Sequence, residues 1–571
     1  MEKWVVSAKR ADFNEISRKF GVDPVIARLI RNREQITDEE IDKYLHGKLE
    51  DLHSWKMLKG IQEALEILVC KIQEKKKIRI IGDYDIDGVC STYILLKGLK
   101  RAGACVDVDI PDRMKDGYGI SKELIDLAKE NDTDTIVTCD NGISALEQVA
   151  YAKSLGMTVV VTDHHEIPYE ELEDGSVKTF LPCADAIVNP KQEDCSYPFK
   201  GICGGMVAFK VICGLYDRLG IPESELGEFI EFAAIATVGD VMDLADENRI
   251  LVKEGLKRIA VTGNLGLKAL IRVNNLEDRP LTAYHIGFVI GPCMNASGRL
   301  STAKRALNLL LSRDEQEAAD LAQDLKALND SRKDMTAKGV EEAVEMVENT
   351  SLKEDRVLVI YLPDCHESLA GIIAGRIRER YCKPVFVLTR AEEGVKGSGR
   401  SIEAYHMFRE MTKCRELLTK FGGHPMAAGL SLPEENVELF RRKLNENCTL
   451  TEEDMAEKVT IDVPMPVSYV NKPLIRQLSL LEPFGKGNSK PLFAQKNVRI
   501  SNVRVFGKNR NVAKMKLYDE NGFSAEGVWF GDGDAFAERV GTKERWSVAY
   551  YPSINAYNGR ETIEIIVQNY I

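Results

Sequence analysis

The chain has 571 residues, 44% of them hydrophobic and 29% charged, with a formal net charge of −12. That length exceeds one hydrophobic core and predicts roughly three or four domains, and the acidic balance argues against a protein that simply coats nucleic acid while leaving room for a local basic channel. No run approaches the roughly 18 apolar residues that span a bilayer, "MEKWVVSAKRADF" lacks a signal-peptide core, and thirteen cysteines without a CxxC pair predict reduced thiols in a cytoplasm and no structural zinc.

After an N-terminal segment, 1–50, three stretches share one grammar: a β-branched run, then acids or histidines, then a helical pattern. The first, "IRIIGDYDIDG" (78–88), runs from an apolar strand into Asp83, Asp85 and Asp87. Charges so crowded repel one another. Either the segment is a turn, which Asp and Gly favour, or a hard divalent cation turns repulsion into shared coordination. The second, "DTIVTCDNGIS", ends its strand at Asp140, and the third, "MTVVVTDHHEIP", ends at Asp163, His164 and His165. Strands alternating with helices predict a parallel α/β sheet, whose ligand site lies beyond the carboxyl ends of the strands. The fold should therefore gather these side chains.

Next, "FIEFAAIATVGDVMDL" reads as an apolar helix closing on Asp240 and Asp243. The stretch 313–348, with Leu321, Leu325 and Leu328 at helical spacing and no Gly or Pro before Gly339, predicts a long helix joining two domains. A second α/β block follows, with strands "RVLVIYL" and "PVFVLT" around the helix "AGIIAGRIRERY". From about residue 455 short strands punctuated by Gly, Asn and Pro predict a small β-barrel. There, Lys496, Arg499, Arg504, Lys508, Arg510, Lys514 and Lys516 fall in a span without an acid and with Phe506 among them. A basic groove with aromatics is how single strands are tracked, although a solvated basic face is the commoner fate of such a run.

Asp85, Asp87, Asp140 and Asp240 could hold two cations with His164 as a nitrogen ligand, a donor set suited to Mn²⁺ or Mg²⁺. Each motif also has a plainer reading: a turn for "DNG", structural histidines for His164 and His165, a helix cap for Asp240. The plain readings must all hold together for the metal site to fail.

"DYDIDG", "CDNGIS", "TDHHE" and "TVGDVMDL", in this order, resemble the motifs of the DHH phosphoesterase superfamily. With "PDRMKDGYG", "NASGR", "CHESLAGIIAGRIRERY", "GSGRS", "GGHPMAAGL" and "LEPFGKGNSKPLF", the chain is similar over nearly its full length to the RecJ family of exonucleases within it. The resemblance implies a multidomain α/β fold. A parallel-sheet DHH domain (51–310) is joined by a long helix (311–350) to a DHH-associated α/β domain (DHHA1, 351–450), and a C-terminal OB-fold β-barrel (455–571) follows. It implies a 5′→3′ single-strand exodeoxyribonuclease that releases mononucleotides by two-metal hydrolysis with Mn²⁺ or Mg²⁺, serving DNA repair and recombination.

The same resemblance implies Asp85, Asp87, Asp140, His164 and Asp240 as metal ligands, with Asp140 as the bridge and Asp83 and Asp163 orienting them. It implies His165 and Arg299 on the scissile phosphate, and Arg113, Asn295, Ser398, Arg400 and His424 around the 5′ end. Tyr118 is a base-stacking candidate or ordinary packing; Arg299 has a surface ion pair as its plainer reading, and His424 a buried turn. Arg504, Phe506, Lys508, Arg510, Lys514 and Lys516 would bind the strand in the barrel. The partners implied are single-stranded DNA with a free 5′ end, a single-strand-binding protein and a helicase, with no membrane, and the chain is expected to be monomeric.

Two departures from the family pattern, Cys293-Met294 where Arg-Leu is common and Gly399 where Ala is common, concern substrate contacts and spare the ligands. The chain is also expected to lack a further C-terminal interaction domain. The alternatives are a DHH phosphodiesterase acting on short oligonucleotides or small nucleotides, which would not require an OB-fold, and a non-catalytic DNA-binding scaffold, which would not need an intact ligand set.

Overall fold

The strand Lys77–Ile81 sits between Cys105–Asp109 and Thr135–Cys139, and the order continues with Thr158–Thr162 and Ala186–Val188, every neighbour parallel. The computed structural model describes residues 2–113, 119–171, 176–557 and 559–571. Continuous β-branched runs suit these strands because both faces are covered. Ile78, Ile80, Val137 and Val160 enter one core with the helices Ile86–Arg101, Gly204–Leu219 and Gly227–Gly239, while Ile81, Ile136, Val159 and Val161 enter a second. Each acidic or histidine motif therefore leaves the sheet at its carboxyl edge, as the strand grammar predicts.

The long helix runs Glu315–Asn349, 35 residues. It passes through Gly339 without a break, and a methyl there would meet Ile373 Cδ1 at 2.5 Å. The bare backbone lets the helix Ala370–Tyr381 come close. That helix covers a second sheet ordered Lys420–His424, Ala427–Leu432, Val395–Arg400, Val385–Arg390 and Leu358–Tyr361, of which only the last pair is parallel. A third sheet closes on itself, since Phe493–Phe506 pairs with both Val512–Tyr518 and Trp546–Tyr557. This closure makes the C-terminal barrel.

The first residues are not a separate unit. Glu2–Val6 pairs in parallel with Glu457–Ile461, and Ile26, Leu29, Ile30 and Leu45 share one core with Phe493, Trp546 and Tyr550 of the barrel. Arg249, on the helix Asp246–Ile259 of the first core, ties this body to that core: its guanidinium donates to the carbonyls of Tyr44, Leu481 and Leu480 at 3.0, 2.9 and 2.9 Å. Among the described residues no helix is long and apolar enough to cross a membrane.

The helix that delivers Asp240 contains a buried acid, Glu231, whose Oε1 accepts from Thr262 Oγ1 at 2.8 Å. Burial pushes its pKa from an ordinary 4.5 to about 7. The folded state thus binds a proton that the unfolded state has lost, so stability is full below 4.5 and falls as pH rises through 7. Glu231→Gln keeps the acceptor for Thr262 and removes the titration. Relative to the parent, this variant should be no more stable at pH 4 and more stable at pH 8, by at most about 3 kcal/mol. Urea unfolding at the two pH values measures the difference, and equal differences would remove Glu231 as the cause.

Candidate active site

The four motifs meet beyond the carboxyl edge of the first sheet. Asp85 caps the helix Ile86–Arg101, its Oδ1 accepting from the N–H groups of Asp87 and Gly88 at 2.9 and 3.0 Å. The Asp87 oxygens accept from Gly204 and Gly205 N–H, both at 2.7 Å, so the carboxylate lies on the N-terminus of another helix, where its charge is favoured. Asp140 has φ +60°, the left-handed region, which Asp tolerates better than most residues. Asp240 closes the helix Gly227–Gly239 and keeps 27% of its side chain exposed to the site.

His164 points between these acids. Its Nε2 lies 3.1 Å from Asp140 Oδ1, 3.5 Å from Asp87 Oδ2 and 3.6 Å from Asp240 Oδ2. Asp163 faces the other way. Its Oδ1 accepts from the N–H groups of His164 and His165 at 2.7 and 3.1 Å and meets His165 Nδ1 at 2.8 Å, while Oδ2 accepts from Ile143 N–H at 2.9 Å. These bonds orient the His165 ring, which stays 43% exposed.

Three groups of side chains bring ligand atoms within 4.8 Å of one another: Asp83 with Asp85 and Asp140; Asp87 with His164 and Asp240; Asp140 with both histidines. Asp140 belongs to two of them. Asp83, expected to act behind the ligands, lies directly in the first.

The electrostatics ask for positive charge. Burial first, and then neighbouring carboxylates, push Asp83 and Asp240 up to about 8 and raise Asp85 and Asp140 as well. Burial lowers His164 and keeps its imidazole neutral, the form that ligates metal. Asp83 Oδ1 and both ring nitrogens of His164 are buried without a hydrogen-bond partner among the described residues. Orphaned buried acceptors are costly, and an oxygen-rich donor set with an imidazole is what a hard or borderline divalent cation completes. The residues fit a metal pair. His165 differs: burial lowers it, but the bond to Asp163 and that carboxylate's charge outweigh burial and raise it to about 9. Asp163 is held below the usual carboxylate range because the same bond and charge outweigh its own burial.

Across a cleft of about 500 Å³ the second sheet presents Ser398 and Arg400, with Arg113 and Arg299 on the catalytic side. Arg299 makes no surface ion pair among the described residues. Its Nη1 donates to the Ser368 carbonyl at 2.9 Å, and burial, then Arg113 and Arg332, lower it to about 10. Arg113 lies over the Tyr84 ring at 5.1 Å. Arg400 Nη1 donates to Ser398 Oγ at 3.1 Å, and both face Gly371 at the start of the helix Ala370–Tyr381, where a methyl would meet them at 2.7 and 2.9 Å. His424 is exposed at the strand end Lys420–His424, and burial, then Arg400 and His406, lower its pKa. Asn295 turns its Oδ1 onto Ile86 N–H at 2.7 Å. Tyr118 lies outside the described residues.

Of the two departures from the family pattern, Gly399 has a local cause. A methyl on Gly399 would meet Met407 Sδ at 2.4 Å, so Met407 already fills that space. Cys293 is buried beside Asn274 and Asn329.

On the barrel, Phe506 pairs across strands with Val512 and Val512 with Phe530, and the two phenylalanines are 47% and 60% exposed. Arg504 shares their side of the sheet at the alternate position, and Lys508 is exposed. The span without an acid in sequence is less basic in space: Arg510 pairs with Asp534, Lys514 with Glu564 and Lys516 with Glu526.

Sequence reasoning missed Gly204, Gly205, Gly371 and Phe530. The doubled glycine opening an apolar helix, "CGGMVAF", was the available signal for the first two, since close approach to a charged group favours glycine.

Residues 77–237 match the DHH family, N-terminal domain, 354–449 the DHHA1 domain and 461–569 the RecJ OB domain. The chain is 36% identical to the single-stranded-DNA-specific exonuclease RecJ of Bacillus subtilis, over 99% of this chain and 70% of that one, and 34% identical to that of Escherichia coli, over 96% and 95%. The crystal structure of Thermus thermophilus RecJ in complex with Mn²⁺ superposes with a TM-score of 0.83 at 28% identity, covering all of this chain and 79% of that one, and the Mg²⁺ complex with 0.79 at 27%, covering all of this chain and 78% of that one. With DHH, DHHA1 and RecJ OB matches in this order and 34–36% identity over nearly all of its own length to these relatives, the chain belongs to the RecJ family of single-stranded-DNA-specific exonucleases.

Proposed function

We propose that this protein removes mononucleotides from the 5′ end of single-stranded DNA by metal-assisted phosphodiester hydrolysis, in repair and recombination. The observation that carries the reading is the buried carboxylate and imidazole cluster facing an arginine-lined cleft. Asp85, Asp87, Asp140, His164 and Asp240 would hold two Mn²⁺ or Mg²⁺, with Asp140 common to both and Asp83 beside it. When bound, the pair supplies a water of lowered pKa and positive charge where phosphate oxygens gain negative charge.

The remaining work falls to the protein. His165, oriented by Asp163, donates to an oxygen of the scissile phosphate. Arg299 offers its planar fork to the same group. Arg113, Ser398 and Arg400 take the terminal 5′-phosphate at the N-terminus of Ala370–Tyr381, where the helix dipole favours an anion, and His424 flanks them. Asn295 braces the loop of Asp85 and Asp87 through its Oδ1 on Ile86 N–H, and its Nδ2 would donate to the strand.

Downstream, Arg504, Phe506 and Lys508 track the strand, with Phe530 as a further stacking surface. Arg510, Lys514 and Lys516 join them at the expense of their present acidic partners. The division into 51–310, 311–350, 351–450 and 455–571, with 1–50 docked on the barrel, follows the same reading. So does work as a monomer in the cytoplasm, on strands opened by a helicase and covered by a single-strand-binding protein. In support of the reduced cytoplasm, all thirteen cysteines are free.

Digestion of oligonucleotides labelled at either end, with Mn²⁺, Mg²⁺ or chelator, tests the reading. Divalent-dependent release of mononucleotides from the 5′ end, with duplex spared, is expected. Cleavage of dinucleotides alone would point to a small-nucleotide phosphodiesterase. Arg400→Gln should cut the preference for a 5′-phosphorylated over a 5′-hydroxyl end about 10- to 100-fold, and an unchanged preference would remove Arg400 from that role.

A further inference from the structure

Two buried asparagines outside the ligand set make the same pair of bonds. Asn141 follows Asp140 and is fully buried. Its Nδ2 donates to the Ile81 carbonyl at 3.1 Å and to the Cys139 carbonyl at 2.9 Å. The ladder between the strands Lys77–Ile81 and Thr135–Cys139 ends at the pair Ile81–Thr138, so this amide ties the two strands where their loops leave the sheet. One loop carries Asp83 and Asp85, the other Asp140. The backbone of Asn141 is held too, its carbonyl accepting from Thr138 Oγ1 at 2.8 Å.

Asn248, on the helix Asp246–Ile259, is equally buried. Its Nδ2 donates to the Gly201 carbonyl at 2.7 Å and to the Asp243 carbonyl at 3.1 Å. Gly201 leads into Gly204 and Gly205, whose N–H groups hold Asp87, and Asp243 lies in the loop that follows Asp240. In both asparagines Oδ1 is buried without a partner among the described residues. An unpaired buried acceptor costs stability, and the two bonds that each nitrogen makes offset it. Turning either amide over would set its oxygen against two carbonyls.

The two amides fall on different groups of ligands. Asn141 spans the loops of Asp83, Asp85 and Asp140, whereas Asn248 spans the segments that place Asp87 and Asp240, which group with His164. We propose that Asn141 and Asn248 are positioning residues, each setting one of the two cation sites independently of the other. This rests on the metal-pair reading given above.

Titration of the full chain with Mn²⁺, followed by the paramagnetic resonance of the free ion, reads the two binding steps. In Asn141→Ala one step should keep its parental dissociation constant while the other weakens about 10- to 100-fold, the usual worth of a partner behind a metal ligand. Asn248→Ala should do the same to the opposite step. Imidazole tells the steps apart, because the group of Asp83, Asp85 and Asp140 holds no nitrogen. With one equivalent of Mn²⁺, the nitrogen modulation of the bound ion's spin echo should persist or strengthen in Asn141→Ala and weaken in Asn248→Ala. Unchanged steps, equal weakening of both, or a nitrogen signal that moves the same way in both variants overturns the proposal, since a merely structural role affects both sites alike. Where thermal unfolding in chelator shows that an alanine variant does not fold, Asn141→Ser or Asn248→Ser, which keeps one donor, takes its place on the same measurements. A parent chain that binds fewer than two Mn²⁺ would instead overturn the metal-pair reading itself.

Discussion

Asp140→Asn is expected to lower turnover of single-stranded DNA by on the order of 10³-fold while leaving strand binding and fold intact. The backbone explains why this variant is a clean probe. Asp140 sits at φ +60°, a conformation that asparagine adopts as readily as aspartate, so the turn survives. The substitution also removes one buried negative charge from a cluster in which burial and mutual repulsion raise Asp83, Asp85 and Asp240. Without metal the variant should therefore be at least as stable as the parent. With metal the order reverses. A ligand at 100 times its dissociation constant stabilises the folded state by about 2.7 kcal/mol, and most of that gain should vanish when Asp140, the proposed common ligand, loses its charge. Single-turnover hydrolysis, with thermal unfolding in chelator and in Mn²⁺, reads both effects. Turnover at the parental rate would mean that Asp140 is not shared between the metals.

Much of this centre is legible in one pass along the chain because each element carries its own chemistry. Lys77–Ile81, Thr135–Cys139 and Thr158–Thr162 are short apolar runs ending in acids or histidines, and parallel topology places such ends together whatever the loops between them do. The long helix is legible for the same local reason. Contacts between distant segments are not. Nothing in "PVIARLIRN" says that Ile26, Leu29 and Ile30 complete the core of a barrel more than 400 residues away. Likewise, nothing between Lys496 and Lys516 announces that Asp534, Glu564 and Glu526 return to pair with three of its cations. Asn295 shows a subtler limit: a polar residue in a proposed substrate-binding motif also holds the backbone between Asp85 and Asp87, and that bond to Ile86 cannot be read from the sequence.

The glycines that open Gly204–Leu219 are where this blind spot should have its largest consequence. A methyl on Gly204 would lie 2.7 Å from Asp140 Cβ and 2.9 Å from its Oδ1. On Gly205 it would lie 2.5 Å from Ala236 Cβ, on the helix that delivers Asp240, and 3.2 Å from Asp87 Oδ1. The two N–H groups hold Asp87 at 2.7 Å, so the helix cannot retreat without releasing that carboxylate. Gly204→Ala should thus move Asp140 by several tenths of an ångström at least. Because a catalytic constellation tolerates only about 0.5 Å of error and a misplacement near 1 Å can lower rates by about 10², kcat should fall on the order of 100-fold. The overpacking should lower stability by only about 1–3 kcal/mol. Gly263→Ala, where nothing lies within 4 Å of the added carbon, controls for the loss of a glycine as such and should be silent. If Gly204→Ala retained parental kcat, the site would be able to accommodate the carbon, and the close approach of helix and carboxylate would be packing alone. A fall in kcat with unchanged affinity for a 20-mer would show that two residues without a functional group set the positions of the ligands.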